Sequence, residues 1–142
     1  MTLVVDASVA VKWYLDEDGS DVALAIARGP EPLVAPDLVV AEVANVAWRK
    51  HRLGQLSRAQ LVAMQDHLPG AFEELVPTRT LARAAMALSL AHDHPAYDCF
   101  YLALAETADA TFVTADVRMV QRFSGHPVAA RLMSLSSYPV AR

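Results

Sequence analysis

The chain has 142 residues, the length of one ordinary domain. Its net charge of −4 means that the molecule as a whole does not attract a polyanion, so any nucleic acid must be held by a local basic patch or a bound cation. The single cysteine, Cys99, excludes an internal disulfide; with no basic leader before Asp6, this reads as a cytoplasmic protein without a secretory signal.

Residues 3–6, Leu3-Val4-Val5-Asp6, read as a strand buried on both faces. Asp6 falls at its carboxyl end, the edge where open α/β sheets keep their ligand crevices. Ser8 is placed as the cap of a short helix over 8–15, which offers Val9, Val11, Trp13 and Leu15 for burial. Asp16-Glu17-Asp18-Gly19 is an acidic loop, and Ser20 or Asp21 caps a helix through Arg28 that Gly29 and Pro30 end. Residues 33–35 form a short buried strand. Pro36 and Asp37 then open a long helix over 38–52, closed by Gly54. The greasy region 33–48 is broken by Pro36, Asp37, Glu42 and Asn45 and is no membrane span.

Ser57 caps a further helix over 58–68, which stops before Pro69-Gly70, and 72–76 reads as a third strand. Thr78 or Thr80 caps a helix over 81–92; residues 92–95 are a loop and 97–107 the next helix. Residues 111–114 are the fourth strand, and Asp116 begins a short helix to Phe123. Gly125 and Pro127 break it, a last strand lies between 128 and 133, and the tail 134–142 is expected to fray. Strands alternate with helices throughout. The expected fold is a three-layer α/β/α single domain over 1–142, with a mostly parallel central sheet of four to five strands.

Four acids stand out. Glu42, Asn45 and Arg49 share one face of a helix otherwise made of Val, Ala and Leu. An unpaired carboxylate there is costly. Asp98 falls in the first turn of an apolar helix, where the helix dipole keeps an acid ionised. Asp116 follows strand four, at the same sheet edge as Asp6 if both strands are parallel, and Thr114 beside it offers a hydroxyl. Each has a plain alternative: a strand-to-helix turn for Asp6, a helix cap for Asp98 and Asp116, and a solvent face for Glu42. Together, Asp6, Glu42, Asp98 and Asp116 converge on one crevice. Two unit charges about 4 Å apart repel by roughly 4 kcal/mol at an effective dielectric near 20, so the cluster calls for a cation or shared protons. All-oxygen ligands suit magnesium or manganese, and no paired Cys or His stands at zinc spacing.

The order Val5-Asp6-Ala7-Ser8, Glu42 with Asn45, Tyr97-Asp98, then Thr114-Ala115-Asp116 resembles the PIN-domain nucleases, and more narrowly the VapC-type toxins of toxin–antitoxin pairs. Val11-Lys12-Trp13 and Pro36-Asp37-Leu38 match as well, and the resemblance spans nearly the whole chain. It implies a magnesium-dependent endoribonuclease, with manganese substituting, that cuts structured RNA of the transfer or ribosomal class. It also implies a homodimer silenced by a VapB-type antitoxin. On this resemblance Asp6, Glu42, Asp98 and Asp116 are the acidic quartet, supported by Ser8, Asn45 and Thr114. Asp6 and Asp98 are expected to ligate the metal directly, and Asp116 directly or through water. Glu42 is expected to hold a water or act as base. Cys99 stands where the family commonly has another small residue.

Arg49 and Lys50, in the basic run 49–52, and Arg118 and Arg122 are candidate RNA contacts, against the alternative of solvated helix ends. His92 and His94 read as solvated loop residues, and Phe100 with Tyr101 as packing. The apolar surface over 22–26 and 58–68 is a candidate dimer or antitoxin groove beside ordinary core burial. Two rival readings are weaker. A signalling receiver domain wants an acid pair after strand one, whereas Ala7 follows Asp6, and a phosphoacceptor Asp after strand three, where Pro77-Thr78 stands. A catalytically decayed scaffold serving as a binding module sits poorly with an intact quartet.

Overall fold

The computed structural model describes residues 1–141. Five strands form one sheet: β1 (Leu3–Val5), β2 (Leu33–Pro36), β3 (Glu74–Val76), β4 (Thr111–Thr114) and β5 (Leu132–Ser134). Their order is β3-β2-β1-β4-β5, and every neighbouring pair is parallel. Seven α-helices connect them: α1 (Ala7–Ala10), α2 (Ser20–Arg28), α3 (Leu38–Arg52), α4 (Arg58–His67), α5 (Thr78–His92), α6 (Ala96–Thr107) and α7 (Val117–Arg122). The α/β/α expectation holds, with all five strands parallel.

Strands β1, β2 and β3 are laid outward in one direction, and the chain then returns to place β4 on the other side of β1. That reversal makes the carboxyl ends of β1 and β4 the switch point where open α/β sheets bind ligands. Register is the link from sheet to site. Val5 pairs with Val113, so the chain leaves the two strands with Asp6 beside Thr114.

The β-branched run Leu3-Val4-Val5 is fully buried, as a central parallel strand covered on both faces must be. Helix α3 buries Val39, Val43 and Ala47, spaced by four along one stripe, and turns Glu42, Asn45 and Arg49 toward the sheet edge. Helix α6 is buried over Leu102–Ala105 and carries Cys99 inward as a packed thiol.

Several boundaries differ from the sequence reading. The last strand expected over 128–133 is a 3-10 turn, Pro127–Arg131, opened by Pro127 and followed by β5. The third strand expected from 72 begins only at Glu74, after a 3-10 turn over Leu68–Ala71 that carries Pro69. Asp6, not Ser8, caps α1: Asp6 Oδ1 accepts the Val9 N–H at 3.2 Å, and the Ser8 hydroxyl turns back onto Asp6. The helix expected over 8–15 tightens after Ala10 into a 3-10 turn, Val11–Trp13. Helix α5 starts at Thr78, where Asp37 Oδ1, directly after the neighbouring strand β2, accepts the Thr78 N–H at 3.0 Å. Ser57 does cap α4, as the donor and acceptor of a full capping box with Gln60. In the tail, Leu135–Ser137 forms a 3-10 turn with Leu135 buried; Arg142 lies outside the described residues.

Candidate active site

Asp6, Glu42, Asp98 and Asp116 line one cleft of about 260 Å³ at the carboxyl edge of the sheet, together with Ser8, Asn45, Arg49 and Tyr101. Four separate elements deliver the acids. Asp6 follows β1 directly, at the cap of α1; Glu42 lies in the second turn of α3, Asp98 in the first turn of α6, and Asp116 at the cap of α7. A larger cleft of about 460 Å³ is lined by Lys12, Asp18, Val22, Val117 and Ser134 among others.

Asp6 is the most enclosed of the four, 7% exposed. Ser8 Oγ donates to its Oδ1 at 2.5 Å and Thr114 Oγ1 to its Oδ2 at 2.6 Å. Both carboxylate oxygens are therefore held, and the group cannot rotate. Burial nevertheless pushes its carboxyl up to about 6, against those bonds, and the charge of Asp98 adds to the rise. Ser8 Oγ and Thr114 Oγ1 also accept the backbone N–H groups of Ala115 and Asp116, at 3.0 and 3.1 Å. The two hydroxyls thus stitch the end of β1 to the turn after β4.

Glu42 is half-buried. Burial raises its carboxyl above the ordinary value, the bond from Tyr101 lowers it, and Asp98 raises it again. Tyr101 Oη donates to Glu42 Oε1 at 2.5 Å. Asp98 Oδ2 stands 2.7 Å from His94 Nε2; an ionised carboxylate only accepts, so that nitrogen carries the proton. The His94 ring is held edge-on against the buried Phe123, centroids 5.0 Å apart. Asp116 realises its plain alternative and more. Its Oδ1 caps α7 through the N–H groups of Arg118 and Met119, while the residue also lines the cleft.

The quartet meets at one cleft without closing into a cage. Among the described residues, no three His, Cys, Asp or Glu side chains stand within range of a single ion. The donor chemistry still fits a hard divalent cation: four carboxylates, two raised by burial, with Asp98 adding charge to both.

Of the basic candidates, Arg49 lines the cleft. Lys50 Nζ lies 3.7 Å from Glu17. Arg122 donates to the Asp93 carbonyl at 2.5 Å and so braces the loop before α6, and Arg118 is exposed. Two residues read from sequence as packing and as solvated loop, Tyr101 and His94, instead touch the acids. Tyr101 does pack, stacked on Phe112 at 5.4 Å, and it also lies three residues after Asp98 on one helix face, the spacing that could have flagged it.

A family model described as PIN domain matches residues 3–123. The chain is 33% identical over 125 residues to Ribonuclease VapC3 of Pyrobaculum aerophilum, a match covering 87% of this chain and 95% of that protein. Among solved structures, it is similar to a crystallised protein of Pyrobaculum aerophilum, with TM-score 0.69 and 19% identity over 96% of this chain and 90% of the other. It is also similar to a toxin-antitoxin complex from Klebsiella pneumoniae, with TM-score 0.66 and 17% identity over 94% and 98% of the two chains.

Proposed function

The chain belongs to the PIN-domain family, in its VapC-type branch, and on that premise we propose that it is a magnesium-dependent endoribonuclease, with manganese substituting, that acts as the toxin of a toxin–antitoxin pair. The observation that carries this reading is the convergence of Asp6, Glu42, Asp98 and Asp116 on one cleft at the switch point of the sheet. The relative named Ribonuclease VapC3 supports the same reaction class.

We assign Asp6 and Asp98 to direct metal ligation, and Asp116 to ligation directly or through water. When bound there, a divalent cation neutralises phosphoryl charge and makes water a better nucleophile. The chain's own residues do the rest. Ser8 and Thr114 hold both oxygens of Asp6, so its carboxylate meets the cleft in one orientation. Glu42, on the opposite wall, orients the attacking water or takes its proton; the raised affinity of its carboxyl for a proton suits a base. Asn45 and Arg49 follow Glu42 along the same face of α3 and offer an amide and a guanidinium to the RNA backbone.

The substrate is read as structured RNA of the transfer or ribosomal class, the location as the cytoplasm, the assembly as a homodimer and the silencer as a VapB-type antitoxin. No helix among the described residues is long and apolar enough to cross a membrane. The test is expression of the chain alone in a bacterial host, beside Asp6→Asn, with sequencing of RNA ends. Growth arrest and discrete new ends with the parent alone support the reading. Abundant folded parent protein with neither effect overturns it.

A further inference from the structure

Glu42 sits on a half-exposed face of α3, where a glutamate has three side-chain rotors and water on one side. Left alone it samples several positions, and fixing it has an entropic cost. It is instead tied, 59 residues along the chain, to the hydroxyl of Tyr101. Tyr101 is 1% exposed, and its ring lies nearly flat on Phe112, 19° between planes. Phe112 belongs to β4, the strand that ends in Thr114 and so holds Asp6. Both walls of the cleft hang from one strand: Asp6 through Thr114, and Glu42 through Tyr101 stacked on Phe112. Asp98 stands one turn before Tyr101 on the same helix, so the anchor of Glu42 and a third acid move as one body.

We infer that Tyr101 is a positioning residue for Glu42, its hydroxyl fixing one carboxylate oxygen so that the other is presented to the reacting group in the cleft. The inference rests on the ribonuclease reading. The competing account is that a buried tyrosine hydroxyl merely needs an acceptor. In that case its loss changes stability and leaves chemistry alone.

Tyr101→Phe keeps the ring and its stacking and removes the hydroxyl. With the parent cutting RNA in Mg2+, the variant is expected to lose about 10- to 100-fold in kcat, with KM within about twofold, because a reacting group has been released from its place. Its thermal unfolding stays cooperative. In metal-free protein the side-chain carboxyl carbon resonance of Glu42, assigned by its disappearance in Glu42→Gln, moves in the variant. Phe100→Leu, a packing change on the same helix, leaves kcat within about twofold of the parent. A parental kcat in Tyr101→Phe overturns the inference, and so does a fallen kcat with an unmoved Glu42 resonance. A parent that cuts no RNA overturns the ribonuclease reading itself, and the positioning role with it.

Discussion

Thr114 Oγ1 donates to Asp6 Oδ2 at 2.6 Å and accepts the Asp116 N–H at 3.1 Å, so one wholly buried side chain ties two of the four acids. Thr114→Val keeps the shape and removes both bonds. It leaves a charged acceptor and a backbone donor short of partners. The expected loss is about 2–3 kcal/mol in denaturant unfolding of the metal-free protein, the range for hydrogen bonds to charged groups. RNA cleavage should fall with it. A loss under about 0.5 kcal/mol contradicts the bond's importance.

Asp6 also sets a pH dependence. Its carboxyl is pushed from 3.8 up to about 6 by burial, so the folded chain binds that proton more tightly than the unfolded chain. The stability it contributes is full below the unfolded value and is lost as pH rises through the folded one. A shift of about two units corresponds to about 3 kcal/mol. In chelator, the stability of the parent minus that of Asp6→Asn should fall by about this amount from about pH 4 to about pH 7. A difference flat in pH contradicts the enclosure of Asp6. Saturating Mg2+ should remove the slope, since it binds the ionised form.

The His94 to Asp98 contact is open to a direct test. His94→Phe keeps an aromatic ring against Phe123 and removes the proton donor to Asp98. Partners that orient a metal ligand are worth about 10- to 100-fold in affinity. Calorimetric titration with Mn2+ should show a loss in that range. Unchanged affinity means that His94 serves packing alone.

A remote cap separates folding from chemistry. Ser57→Ala removes the capping box at the start of α4, away from the acid-lined cleft. The chain should lose about 1 kcal/mol of stability. Cleavage measured well below the melting temperature should not change. A parallel loss of activity would indicate that α4 supports the cleft.

How much of this was legible in the sequence follows from how local each cause is. Helix α3 runs over the residues read from sequence, because its apolar stripe, opening Pro36-Asp37 and closing Gly54 all lie within the segment. The strand Leu3–Val5 was legible from its β-branched run. The cap of α1 was not. Asp6 and Ser8 both suit the position, and the choice is made by Thr114, 108 residues along the chain from Asp6. Tyr101 read as packing for the same reason, since its bond to Glu42 spans 59 residues. His94 lies just before α6, which starts at Ala96, so helical spacing did not cover its reach to Asp98. The basic run 49–52 looked like one patch, yet of its four residues Arg49, on the helix face of Glu42 and Asn45, lines the cleft, while Lys50 lies 3.7 Å from Glu17.

The most direct measurement is cleavage of a structured RNA by the purified chain, in Mg2+ and in excess EDTA, beside Asp98→Asn. The expected result is discrete cuts by the parent in Mg2+, none in EDTA and none from Asp98→Asn in either. Equal cutting by Asp98→Asn, or cutting that persists in EDTA, would contradict a divalent-metal reaction at the acid-lined cleft.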